Sequence, residues 1–115
     1  MKVNLVVVKT KQPELLKTQY EALGITFQYH NHGDGPFHFV ATLSDVVFEI
    51  YPLPASLQKA DNSTRLGFEV EAIDILLPNI IKAGWGIHKN PTQTQWGYAA
   101  VIVDNDGRKV ELKES

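Results

Sequence analysis

An order of elements that occurs twice is the feature that most constrains this chain. Residues 4–9 form a nearly continuous apolar run rich in valine, which predicts a mostly buried strand. A helix is expected from Pro13, with Glu14 in its first turn and Leu16, Tyr20 and Leu23 on one face. Gly24 is its natural stop. Strands are then expected over residues 25–29, 37–43 and 46–53. The loop His30-Asn31-His32-Gly33-Asp34-Gly35-Pro36 separates the first two, and Ser44-Asp45 the last two. Residues 54–63 are polar and read as a linker. The same order then returns. A strand over 64–71 precedes a helix capped by Asp74, carrying Leu76, Leu77, Ile80 and Ile81 and stopping at Gly84. Pro78 is tolerable there near the first turn and kinks the helix otherwise. A short strand over 86–89, a polar loop over 91–95, a strand over 97–103, the turn Asp104-Asn105-Asp106-Gly107 and a strand over 109–113 complete the chain.

The repeat predicts an α+β fold of two tandem βαβββ modules, forming a cupped mixed sheet with flanking helices. One domain is expected over residues 1–115, with module one at about 1–55, the linker at about 54–63 and module two at about 64–115. Ala22-Leu23-Gly24 answers Lys82-Ala83-Gly84, and Phe48-Glu49-Ile50 answers Val110-Glu111-Leu112. A length of 115 residues, 43% of them hydrophobic, suffices for a packed core without a staple. Cysteine is absent, which excludes disulfides, thiolate metal sites and a cysteine nucleophile. Eleven basic against thirteen acidic residues argue against a nucleic-acid surface. No run reaches the length of a membrane span, so no membrane partner is expected. The opening residues read as a first strand rather than a secretory leader, and the expected location is cytoplasmic.

Glu49 and Glu111 are the sharpest chemical feature. Each lies in the last strand of its module between apolar neighbours. Strand alternation points Glu49 away from the face that carries Phe48 and Ile50. Two such carboxylates, brought together about a pseudo-twofold axis, would serve as metal ligands or as general acid and base. The alternative is that both face solvent on half-buried strands. His30, His32 and His38 form a rival set that could bind zinc, though a solvated polar loop is the simpler expectation. No nucleophile elbow and no phosphate-cradling glycine loop occur.

The two modules, the Phe48-Glu49-Ile50-Tyr51-Pro52 strand, the Trp96-Gly97 pair and the ending from Asp104 through Gly107 to Glu111-Leu112 resemble the vicinal oxygen chelate superfamily. That group contains glyoxalase I, bleomycin-resistance proteins, fosfomycin-resistance enzymes and extradiol dioxygenases. Metal-dependent members take ligands from the first and last strands of each module: histidine or glutamine on the first, glutamate on the fourth, histidine or glutamate on the fifth and glutamate on the eighth. Carried over, Glu49 and Glu111 match, while the first-strand position falls on Asn4 and the fifth-strand position on Arg65. An amide oxygen is a weak ligand for a soft metal, and a guanidinium has no lone pair to give. A positive charge about 4 Å from a bound cation would cost roughly several kcal/mol.

The resemblance therefore implies a small-molecule binding protein without a catalytic transition metal, its ligand anionic or aromatic and held between the modules. Arg65 would bridge Glu49 and Glu111 or bind a carboxylate or phosphate of the ligand. Tyr51, Trp96, Tyr98 and Asn4 are the other expected ligand contacts. No cofactor is expected. If a divalent ion binds, Glu49, Glu111 and Asn4 would hold it, and a lyase, isomerase or dioxygenase-like enzyme using the two glutamates becomes the alternative. A structural module with a vestigial cavity is the third reading. The family's habit of pairing modules implies a homodimer.

Overall fold

Parallel strands cannot be joined by a tight turn, so a module that begins and ends with parallel neighbours needs a crossover between them. In the computed structural model, which describes residues 1–31 and 33–115, each half of the chain solves this in the same way. The chain divides into two units, Met1–Asp61 and Asn62–Ser115. The first contains β1 (Leu5–Thr10), α1 (Pro13–Glu21), β2 (Gln28–His30), β3 (His38–Leu43) and β4 (Val46–Pro52). Its four-stranded mixed sheet has the order β1-β4-β3-β2, with β1 and β4 parallel and the other neighbours antiparallel. The second contains β5 (Leu66–Val70), α2 (Ile73–Lys82), β6 (Gly86–Thr94), β7 (Gly97–Val103) and β8 (Lys109–Glu114), in the equivalent order β5-β8-β7-β6.

Each sheet covers one face with its helix. In the first module Pro13 opens α1, and Leu16 and Tyr20 are fully buried. Tyr20 meets Phe48 with ring centroids 5.3 Å apart. Val8, Phe39, Ala41, Phe48 and Ile50 complete this core. In the second module Ile73 and Ile80 of α2 are buried, as are Trp85, Ala100, Ile102, Val110 and Leu112. Gly24 (φ 102°) and Gly84 (φ 93°) end the helices in the left-handed region, as the sequence predicts.

Four local expectations need correction. The second strand is only Gln28–His30, although Ile25 is buried ahead of it. The polar loop expected over 91–95 does not form as such: β6 continues through Pro91 to Thr94. Pro91 is tolerated because β6 is an edge strand of its sheet and its pairing with β7 shifts register on both sides of Lys89. Asp74 does not cap α2. The cap residue is Ala72, and the Ile73 amide donates to Glu114 Oε1 at 2.9 Å. The parallel register ends at Val70↔Glu114, which carries that carboxylate to the helix start. Pro78 lies inside α2, beyond the first turn, and removes one donor from the helical ladder.

The turn before β8 hides a charge. Gly107 takes φ 86° as expected, and Asp104 Oδ1 accepts the amides of Asp106 (2.9 Å) and Arg108 (3.1 Å). The Arg108 side chain is 1% exposed, and its Nη1 lies 2.6 Å from Asp104 Oδ2 and 3.6 Å from Asp106 Oδ2. Breaking a buried pair strands the remaining charge. Arg108→Met or Asp104→Ala is therefore expected to lower unfolding free energy by about 3–5 kcal/mol, measured by urea denaturation. An unchanged midpoint would show that the pair contributes nothing.

Candidate functional site

The helices leave the opposite face of each sheet open, and alternation fixes which residues occupy it. In the first module Glu49 lies opposite Val7 on β1 and Val40 on β3. Leu5, Val7 and Lys9 share its face and, with Pro36, Tyr51 and residues 52–54, line a depression of about 660 Å³. His38 is buried against this face, its side chain 1% exposed. Its ring stacks on Tyr51 (centroids 4.1 Å, 7°) and meets His30 edge-on at 5.6 Å. His38 Nδ1 lies 3.2 Å from the Pro36 carbonyl oxygen, a pure acceptor, which assigns a proton to Nδ1. Nε2 faces Glu49 Oε2 at 3.2 Å, an ion pair whenever the ring carries its second proton. Burial first, and the Glu49 carboxylate second, push the Tyr51 phenol above its ordinary value of 10.0.

In the second module Glu111 lies opposite Gly67 on β5 and Val101 on β7, and Val101 lies opposite Lys89 on β6. Arg65, just ahead of β5, approaches Glu111, with Nη2 4.0 Å from Oε2 and both side chains about half exposed. Such a pair is worth little, about 0–1 kcal/mol. Lys113 and Lys89 add two further cations, and Ala99 and Val101 form part of the floor. Trp96 stands at the β6–β7 turn, 73% exposed. The turn is pinned by Thr94 Oγ1, which donates to the Gly97 carbonyl (2.7 Å) and accepts from the Trp96 amide (3.0 Å). Together these residues border a cavity of about 530 Å³.

No family-level sequence profile matches the chain, and no curated protein matches it by sequence. Solved structures do match. The antibiotic binding protein TnmS3 from Streptomyces sp. CB03234 shares 20% identity and a TM-score of 0.76, over 99% of this chain and 95% of its own. A glyoxalase/bleomycin resistance protein/dioxygenase family enzyme from Burkholderia phytofirmans PsJN shares 19% and 0.76, over 99% and 98%. A glyoxalase/bleomycin resistance protein from Albidiferax ferrireducens T118 shares 22% and 0.73, over 97% of each. The chain has the vicinal oxygen chelate fold.

The metal-ligand pattern of that fold can be tested against the strand register. Glu49 pairs with Val7 and Glu111 with Gly67, so the residue two places earlier on the first strand of each module is Leu5 or Arg65. Leu5, not Asn4, is the counterpart of Arg65. Asn4 precedes β1, and its carbonyl accepts the Val47 amide at 2.9 Å. A leucine and an arginine offer no lone pair, so two of the four ligand positions hold no donor. The residues do not fit the metal set that the family resemblance implies.

The other expected residues divide. Tyr51 shares a depression with Glu49, and Trp96 and Arg65 share one with Glu111. Tyr98 does not join them. It alternates with Gly97 and Ala99, and its hydroxyl donates to Asp74 Oδ1 of α2 at 2.9 Å. For the histidine set, His32 lies outside the described residues. Among the described residues no group of three histidines, aspartates or glutamates is placed to hold a metal ion. His38 is the residue whose role the sequence hid. Its parity matches that of Val40, the direct neighbour of Glu49, and that was the available signal.

The hydrogen bond to Asp74, then burial, then the charges of Asp74 and Glu114 raise the Tyr98 phenol above 10.0. A raised folded-state value gives stability that is complete below pH 10.0 and lost as pH rises through the folded value. Tyr98→Phe should therefore flatten the alkaline loss of stability, compared by urea unfolding at neutral and alkaline pH. An unaltered alkaline slope would remove Tyr98 from that linkage.

Proposed function

We propose that the chain is a small-molecule binding protein. Its ligand, anionic or aromatic in character, sits against an open sheet face, and no catalytic transition metal takes part. The observation that carries this reading is the pair Leu5 and Arg65 at the strand positions where metal-dependent relatives place donors. An aliphatic side chain and a permanent cation favour contact with an apolar or anionic molecule over a bound cation. The solved structure of TnmS3, an antibiotic binding protein, supports the same reading by analogy of fold.

A second reading has one observation of its own. His38 Nε2 at 3.2 Å from Glu49 Oε2, in a largely enclosed setting, is an acid–base pair of the kind that serves a lyase or isomerase. Binding ranks ahead of it because Glu49 meets His38 rather than an open reacting position.

Metal content of protein purified without a metal-binding tag, followed by melting with manganese, nickel and zinc, tests the first reading. The expected result is no stoichiometric metal and no shift, while a panel of small aromatic acids raises the melting temperature. A stoichiometric metal lost in Glu49→Ala or Glu111→Ala would overturn it in favour of a metal-dependent enzyme.

A further inference from the structure

Strand β5 carries a glycine where nothing in its own fold asks for one. Gly67 lies inside the strand, opposite Glu111. Its backbone is outside the left-handed region, and a Cβ added there would meet only the Glu111 carbonyl oxygen, at 4.0 Å. Glycine inside a strand is unfavourable, since it has more freedom to lose and no side chain to pack. Its counterpart in the first module, opposite Glu49, is Val7. What Gly67 provides is room. Arg65 precedes it by two residues, just ahead of β5, and no side chain stands at position 67 between it and the residues that follow.

That room opens on an electropositive surface. Arg65, Lys89 and Lys113 border the cavity, against Glu111 alone among its lining carboxylates. Counting Glu69, which lies opposite Lys113, does not reverse the sign. The 4.0 Å link between Arg65 and Glu111 is exposed and easily exchanged for a better partner. A guanidinium binds carboxylate through two parallel hydrogen bonds, which the present contact does not supply. From the Arg65 end the floor runs over Val101 and Ala99 towards Trp96. Neighbouring strands are about 4.8 Å apart, so β5 and β7 are roughly 10 Å apart with β8 between them.

We propose that this face of the second module binds an elongated aromatic carboxylate, its acid group held by Arg65 beside Gly67 and its rings lying over Val101 and Ala99 against Trp96. Lys89 and Lys113 add long-range attraction. Glu111 orients Arg65 in the free protein and opposes the ligand's charge. The inference rests on the small-molecule reading above and narrows it to one face and one charge.

Calorimetric titration with biphenyl-4-carboxylate and with the neutral biphenyl-4-methanol tests it. The acid should bind at least tenfold more tightly than the alcohol. Arg65→Gln should weaken the acid at least tenfold and leave the alcohol unaffected, and Glu111→Gln should tighten the acid severalfold. Gly67→Val should melt no lower than the parent yet lose the acid, an outcome that a purely structural glycine would not give. Equal binding of acid and alcohol, or full binding by Arg65→Gln, overturns the proposal while leaving the small-molecule reading intact. Inorganic phosphate binding as tightly as the acid overturns its aromatic half. If neither biphenyl binds and neither aromatic molecules nor small non-aromatic anions shift the melting temperature, both readings fall together.

Discussion

The parallel pairing of first and last strands organises everything else in each module. It forces a crossover, and the helix that provides it shields one face of the sheet. It also sets the last strand between two neighbours, so Glu49 and Glu111 sit on central strands rather than edges. Alternation then sends Phe48, Ile50, Val110 and Leu112 to the helix and both glutamates to the open face. Even the start of α2 depends on this register, since Glu114 reaches the Ile73 amide from the end of β8.

Two copies of one frame have been filled with different chemistry. Counting from each glutamate, Leu5 stands where the second module has Arg65, Val7 where it has Gly67, and Tyr51 where it has Lys113. The first face is furnished by the protein's own groups: His38 lies on Tyr51 and turns a ring nitrogen to Glu49. The second face keeps its charges long and exposed around a shallow floor. A duplicated scaffold allows this because strand register preserves position while leaving side-chain identity free.

What could be read from the letters followed from periodicity and backbone chemistry. Gly24 and Gly84 announce the helix ends, Pro13 announces a start, and the spacing of Phe48, Glu49 and Ile50 assigns faces without any coordinates. What stayed hidden was decided by partners distant in sequence. Asp74 has the chemistry of a cap, but Glu114, 41 residues from Ile73, took the bond. Pro91 looks like a strand breaker until β7 pairs around it with a shifted register. The first strand has no landmark residue of its own, so only its pairing with Glu49's strand distinguishes Leu5 from Asn4. Arg108 gave no signal, because a charged residue after a turn ordinarily points to water and this one is folded under Asp104.

Pro91 and the shifted register around Lys89 have a bearing on how this chain behaves in company. β6 is the longest of the described strands and lies at one edge of its sheet, nine residues whose free side could template a strand from another molecule. A proline has no amide to offer such a visitor, and each irregularity throws the spacing of the remaining donors out of step. The corresponding outer strand of the first module, Gln28–His30, reaches the same end by brevity. One of these edges is too short to copy and the other too irregular, so crowding many such chains together leaves neither of the two a ready place for a sheet to grow.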